Sequence, residues 1–122
     1  MEVVTGMELD RFSLALLVLR PDAPQLDEEQ AAALQDAHMA HLAGLHDAGL
    51  LLASGPLLDE RFRGLSIFWV EAEQACALKA QDPAVRAGRF DVLVMPWLVP
   101  SGVVAFLPGR LPRSMAEVEA GD

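Results

Sequence analysis

Two kinds of hydrophobic spacing divide this sequence into candidate strands and helices. Residues 12–19 (FSLALLVL) are nearly all apolar and are followed by Pro21, which is typical of a short buried strand. Three later segments have a similar short, apolar or β-rich character: residues 50–54, 64–71 and 90–99. Pro96 lies inside the last segment and predicts an edge strand or a bulge there. The pattern therefore predicts four strands.

Two further segments have helical spacing. In residues 27–48, apolar residues recur every three or four positions and form one stripe along a helix. Asp27 is the candidate capping residue at its start, and Gly49 ends it. This helix carries acidic residues and no Lys or Arg, so its outer face is acidic. Residues 73–81 predict a short second helix, which ends at Asp82 because a residue before proline disfavours helical geometry. Residues 84–89 are a connector.

The resulting order β-α-β-β-α-β predicts an α+β, ferredoxin-like fold with a four-stranded antiparallel sheet and both helices on one face. The other sheet face is apolar, so we expect a homodimer that packs sheet to sheet. Residues 103–107 (VVAFL) are a candidate extra strand across that dimer. We assign residues 1–11 to a leader, 12–107 to the domain and 108–122 to a flexible C-terminal tail.

Composition narrows the function classes. Nine basic against 18 acidic residues give a net charge of −9, which argues against nucleic-acid binding. One cysteine cannot form an internal disulfide. The early apolar run is too short to span a membrane and has no basic segment before it, so we predict a cytoplasmic protein. No phosphate-binding loop or dinucleotide fingerprint occurs, and we predict no cofactor.

Two motifs resemble the YCII-related family. The first is HMAHLAGLHDAGLLLASGP at residues 38–56, in which a histidine-bearing helix runs into a glycine and then Gly-Pro. The second is DPAVRAG at residues 82–88, which is similar to the family's Asp-Pro-x-x-x-Ala-Gly signature. The resemblance covers residues 12–100.

This resemblance implies a ferredoxin-like fold that dimerises through its sheets, and a cleft in which His38 approaches Asp82. Members of the family are described as candidate enzymes: a few act in ring degradation, for example by dehydrochlorination, and most have no assigned reaction. One position departs from the family pattern: an Arg often found three residues before the histidine is Gln35 here. A different cation would then have to hold an anionic ligand.

His38 and Asp82 are the candidate catalytic residues. A histidine that donates one ring N–H to a carboxylate is held in one tautomer, and its other nitrogen becomes a better base. The alternative is a structural pair in which Asp82 only caps the turn after the second helix. His41 lies one turn away, a spacing that could chelate a metal. Catalytic zinc needs three protein ligands, and we predict no metal site.

The candidate substrate contacts are His41, Ser54, Gly55, Pro56 and Arg89. Gly55 allows a ligand to approach the backbone and Ser54 offers a hydroxyl, although a plain strand-ending turn explains them equally. The sequence has two basic spots, which are made by Arg61, Arg63, Arg86 and Arg89. These arginines could attract a carboxylate or phenolate. His46 is expected at the cleft edge or the surface.

Two functions follow. The first is a cofactor-free enzyme in which His38 is a general base or acid on a small ring-like or carboxylate-bearing molecule and Asp82 orients it, as in an isomerase, lyase or dehydrochlorinase. The alternative is a non-catalytic small-molecule-binding or interaction module within a homodimer. A third possibility is that the pair only fastens the second helix to the first.

Overall fold

The computed structural model describes residues 2–4 and 6–121. Five strands and four helices follow one another in the chain: β1 Glu2–Val4, β2 Met7–Leu19, α1 Glu28–Asp47, β3 Leu51–Pro56, β4 Phe62–Phe68, α2 Ala72–Ala80, α3 Pro83–Arg86, β5 Phe90–Pro100 and α4 Met115–Ala120. Strands β2 to β5 with α1 and α2 reproduce the predicted β-α-β-β-α-β order.

The sheet is antiparallel, and its four long strands lie in the order β5-β2-β4-β3. This is the strand order of a ferredoxin-like fold, and the predicted fold class is confirmed. Strand β5 pairs only with β2 among the described strands, so Pro96 lies on an edge strand opposite Ser13, where its missing N–H is tolerated. The short β1 pairs with the beginning of β2.

Helix α1 has the boundaries that its capping residues predict. The Asp27 side chain accepts a hydrogen bond from the Gln30 backbone at 2.7 Å, and the Gln30 side chain accepts one from the Asp27 N–H at 3.1 Å. Gly49 follows the helix with φ of +79°, a left-handed geometry that glycine adopts without a Cβ clash. Local sequence therefore fixes both ends of the helix that carries His38.

The helices pack on one face of the sheet. Ala15 of β2, Leu51 of β3, Phe68 of β4 and Ala75 of α2 form the buried core there. Leu42 of α1 packs against this cluster. Burial of these side chains, at roughly 25 cal/mol per Å² of apolar surface, attaches α1 and α2 to the sheet.

The opposite sheet face is only partly covered. Phe12 is fully buried there, and Val104 and Phe106 pack against its cluster. The β2–β5 register places Trp97 opposite Phe12, and the next exposed apolar side chains of β5 are Met95 and Leu93. An apolar strip therefore remains open along β5.

The leader assigned to residues 1–11 is not separate from the sheet. Strand β2 begins at Met7 instead of residue 12, and residues 2–4 pair with it. The mixed charges hid this strand, because the partners of its polar side chains lie far away in the sequence. Asp10 accepts hydrogen bonds from the Ser101 hydroxyl and the Gly102 N–H, each at 3.1 Å.

The chain after β5 also differs from expectation. Residues 103–107 form no strand, and Phe106 stacks against His46 with ring centroids 5.0 Å apart. The described residues beyond Leu107 are not a flexible tail, because they run back along α1 and form α4. The acidic face of α1 anchors them: Asp36 accepts from the Met115 N–H at 2.8 Å, and Asp47 pairs with Arg113.

Candidate functional site

His38 of α1 and Asp82 meet on the helix side of the sheet. Asp82 precedes α3 as its capping residue, and its Oδ1 accepts from the Ala84 N–H at 2.9 Å. The His38 Nδ1 lies 2.9 Å from Asp82 Oδ1 and 2.8 Å from Oδ2. The short α3 therefore fixes the carboxylate, and the carboxylate fixes the imidazole ring.

A third charged residue completes this cluster. Lys79 of α2 is fully buried, and its Nζ lies 2.9 Å from Asp82 Oδ2. Burial by itself raises the pKa of the Asp82 carboxyl, but the hydrogen bond from His38 and the positive charge of Lys79 outweigh it and lower the pKa to about 2. Asp82 is therefore ionised at neutral pH and can only accept hydrogen bonds.

The His38 side chain borders a cavity of about 740 Å³ between α1, the sheet and the C-terminal segment. Much of the cavity wall is apolar and comes from β2, α1, β4, β5 and the C-terminal segment, including Leu17, Met39, Leu42, Leu65, Phe90, Leu111 and Met115. A cavity of this size accepts a small organic molecule.

Polar groups lie at defined points of the wall. The Ser54 and Ser66 hydroxyls are 2.9 Å apart, and Gln35 lies on α1 one turn before His38. Arg63 and Arg89 supply positive charge, and neither forms a salt bridge within the described part of the chain. The Nε of Arg63 donates to the Glu60 carbonyl at 2.6 Å, and Asp59 adds an acidic group to the wall. The cavity thus combines an apolar wall with two arginines and one aspartate.

Most of the residues predicted for ligand contact share this cavity. Ser54, Gly55, Pro56 and Arg89 line it together with His38. Asp82 lies behind the histidine and does not line the cavity. Arg89 also lies over the Phe90 ring, with its guanidinium carbon 5.2 Å from the ring centroid.

His41 is placed elsewhere. Its Nε2 donates to the Leu78 carbonyl at 3.2 Å, and it does not line the cavity in the described residues. Burial lowers the pKa of His41. The expected substrate contact from His41 is therefore absent from this geometry, because the His41 side chain points to the Leu78 carbonyl of α2, whereas the next residue, Leu42, lines the cavity.

His46 is buried and lies neither at the cleft edge nor on the surface. Its Nδ1 is 2.8 Å from the Leu51 carbonyl oxygen, and its Nε2 is 3.0 Å from that of Gly109. The ring thus links the end of α1 to β3 and to the C-terminal segment.

Sequence reasoning missed two parts of the site. Lys79 gives no signal of burial, because a lysine three residues before an aspartate on a short helix is usually solvated. The sequence pattern predicts that Leu111 and Met115 lie in a flexible tail, but in the structure both line the cavity. Their apolar side chains, one before α4 and one at its start, are a weak signal that this segment packs on the domain.

The described residues contain neither a metal-binding cluster nor a membrane-spanning helix. No group of three or more His, Cys, Asp or Glu side chains there is arranged to hold a metal ion. None of the helices in the described part is both long and apolar enough to cross a membrane. The lone Cys76 is exposed on α2.

Comparison with solved structures identifies a neighbour with the same fold. The chain is similar to 5-chloro-2-hydroxyhydroquinone dehydrochlorinase from Burkholderia phenoliruptrix, solved in complex with 2,5-dihydroxybenzoquinone. The TM-score is 0.52 at 23% identity, over 70% of this chain and 92% of that one. At this identity the likeness establishes a shared fold.

Sequence comparison gives the family. A search of curated protein sequences found no match to this chain. The sequence model of the YCII-related domain matches residues 14–98, which include α1, the Ser54-Gly55-Pro56 end of β3 and the Asp82-Pro83 pair. This match spans well over half of the chain, and it agrees with the two motifs and the fold. The chain belongs to the YCII-related domain family.

Proposed function

We propose that this protein is a cofactor-free acid/base enzyme that acts on a small ring-like or carboxylate-bearing molecule. The observation that carries the proposal is the position of His38: one ring nitrogen is held by a buried carboxylate, and the ring borders a cavity large enough for a small organic molecule. A purely structural histidine would not need an open cavity beside it.

The chemistry follows from the protonation of the pair. Asp82 is ionised at neutral pH, so His38 donates its Nδ1–H to the carboxylate. The Nε2 lone pair is then available as a general base. When Nε2 takes a proton from a substrate, the adjacent carboxylate stabilises the imidazolium that forms. The same proton can be returned to a second substrate atom or to a leaving group.

The cavity supports a substrate with a flat apolar body and a negative charge. Leu17, Leu65 and Phe90 suit the faces of a ring, while Arg63 and Arg89 suit a carboxylate or phenolate. These two arginines would take the place of the Arg that family members often carry at the position of Gln35. Loss of a proton from a ring carbon or hydroxyl, followed by a shift of a double bond or departure of a leaving group, gives isomerase, lyase or dehydrochlorinase-like chemistry.

The structural neighbour supports the same substrate class. That protein is a dehydrochlorinase and was solved with 2,5-dihydroxybenzoquinone, a small oxygenated ring. A ring of this size fits easily within about 740 Å³. We therefore place chlorinated and hydroxylated aromatic acids, phenols and hydroquinones first among the compounds to test.

The deciding experiment compares turnover of such compounds by the wild type with His38→Ala and Asp82→Asn. We expect His38→Ala to abolish turnover and Asp82→Asn to lower kcat by about 10²-fold or more, a typical general-base contribution. His41→Gln is the matched control, because His41 lies on the same helix but outside the cavity. Ligand binding without turnover that survives both substitutions would instead identify a non-catalytic binding module.

We also propose that the protein forms a homodimer through the open sheet face. Leu93, Met95 and Trp97 are each more than a third exposed on β5, and Trp69 is half exposed beside Phe12. Apolar side chains of this size at one face usually mark an interface. Met95→Asp should shift the mass measured by light scattering to that of a monomer, whereas Gln74→Asp on the exposed side of α2 should not. A wild-type monomer would refute the dimer.

A further inference from the structure

Lys79 is a buried charge that the proposed catalytic step does not use. It lies on α2, three residues before Asp82, and it does not line the cavity. Its side chain is completely buried, and its Nζ contacts Asp82 Oδ2 at 2.9 Å. Lysine is almost never fully buried unless it is paired, so the pairing with Asp82 sets the charge balance of this cluster.

The charge count of the cluster determines which form of His38 it favours. An ionised carboxylate buried away from water requires a positive partner. If Asp82 had only His38 beside it, the imidazolium would be that partner and the ring would hold its proton. Lys79 already supplies the positive charge, so a neutral His38 leaves the cluster neutral, and a protonated His38 gives it a net charge of +1.

The remaining titratable groups near His38 are His41 on α1 and the charged residues of the cavity wall. His41 on α1 donates to the Leu78 carbonyl, and burial disfavours its own charged form. From the sheet side, Arg63 and Arg89 border the cavity and also disfavour a second cation. Asp59 is the acidic residue that lines the cavity in the described part of the chain, and Arg61 and Arg63 lie near it.

We propose that Lys79 is a positioning residue that neutralises Asp82 and thereby keeps His38 neutral at rest, with hydrogen on Nδ1 and a free lone pair on Nε2. This inference rests on the proposed function and deepens it, because it gives the direction of the first step. The resting protein removes a proton from its substrate, and the Nε2–H formed in that step then serves as the acid.

The test observes the ring nitrogens of His38 directly, by ¹⁵N NMR of histidine-labelled protein without any substrate. The His38 signals are assigned by their loss in His38→Gln. In the wild type near pH 7.5 we expect one protonated and one unprotonated nitrogen, the pattern of neutral imidazole. In Lys79→Met we expect His38 to stay doubly protonated to a pH higher by about one unit, which is about a tenfold gain in proton affinity.

Two further variants separate charge from packing. Lys79→Arg keeps the positive charge and should restore the wild-type titration of His38. The double variant Lys79→Met, Asp82→Asn removes both charges together, and the extra proton affinity should disappear. If Lys79→Met folds and His38 titrates as in the wild type, Lys79 has no charge-balancing role.

The wild-type spectrum is decisive even if the variants do not fold. An imidazolium pattern for His38 near pH 7.5 in the wild type would overturn the inference. Its failure is distinguishable from that of the proposed function, because the NMR experiment requires no substrate. Turnover that is unaffected by His38→Ala would refute the proposed function and would leave the ring-nitrogen result unchanged.

Discussion

The ionisation of Asp82 should contribute measurably to the stability of the folded protein. The pKa of this carboxyl is about 2 in the folded protein, against an ordinary value of 3.8. A difference of this size corresponds to about 2 kcal/mol of unfolding free energy, since one pKa unit is worth about 1.4 kcal/mol. Because the Asp82 side chain is fully buried, solvent screens little of this contribution.

The sign of the pH dependence follows from the direction of the shift. A carboxyl whose pKa is lower in the folded state stabilises that state at every pH above its unfolded value. This contribution begins to fall near pH 4 and is lost as the pH drops through about 2. Asp82→Asn is a suitable probe, because asparagine caps helices about as well as aspartate and can still accept from the Ala84 N–H.

The assay is urea unfolding of the wild type and of Asp82→Asn at several pH values between about 7 and 2. Acidic groups away from this cluster titrate alike in both proteins, so the difference between the two unfolding free energies reports Asp82 together with His38, which contacts it. We expect this difference to be about 2 kcal/mol larger at neutral pH than near pH 2. Asp22→Asn is the matched control: Arg20 lowers the pKa of Asp22, but this pair lies on the surface and its effect is largely screened.

A difference between wild type and Asp82→Asn that stays constant from neutral pH to pH 2 would refute this reasoning. It would mean that Asp82 titrates alike in the folded and unfolded chains, and that Lys79 and His38 do not stabilise its charge. The same result would remove the basis for a fixed His38 tautomer.

Three further predictions concern the cavity, the C-terminal segment and α1. Arg89→Gln should weaken binding of a carboxylate or phenolate ligand about tenfold by calorimetry and leave neutral analogues unaffected; equal losses for both would contradict an anion contact. His46→Leu should speed hydrogen exchange at residues 106–120, since the contact with the Gly109 carbonyl is lost; unchanged exchange would show that other contacts hold this segment. Asp27→Ala should lower the unfolding free energy by about 1 kcal/mol in thermal or urea unfolding, because it removes the cap of α1. An unchanged unfolding free energy would mean that the packing of α1 alone fixes the start of this helix.

The sequence by itself determined the four long strands, the helices α1 and α2, and the order in which they occur. The boundaries of α1 could be predicted because Asp27 and Gly49 act on the backbone within one turn of the helix ends. Strand β5 could be predicted as an edge strand from Pro96, since a residue without an N–H is excluded from a central strand. These signals are local, and their physical meaning does not depend on the rest of the chain.

The family motifs also carried most of the candidate site. They named His38 and Asp82, which are 44 positions apart in sequence and in direct contact in the fold. They also named Ser54, Gly55 and Pro56, which line the same cavity; these residues continue β3 and pair with β4, and the strand-ending turn expected there is absent. The spacing of residues in this one sequence, without the resemblance, favoured a structural pair.

Only the tertiary structure decided where Lys79 and the C-terminal segment lie. Lys79 is buried because α2 turns it toward Asp82, and an isolated helix would leave the same side chain in water. Residues 108–121 look like a polar tail, yet their partners are Asp36, Asp47 and His46, far away in sequence. Burial and pairing between distant segments depend on how the whole chain packs, and a local sequence pattern holds no record of that packing.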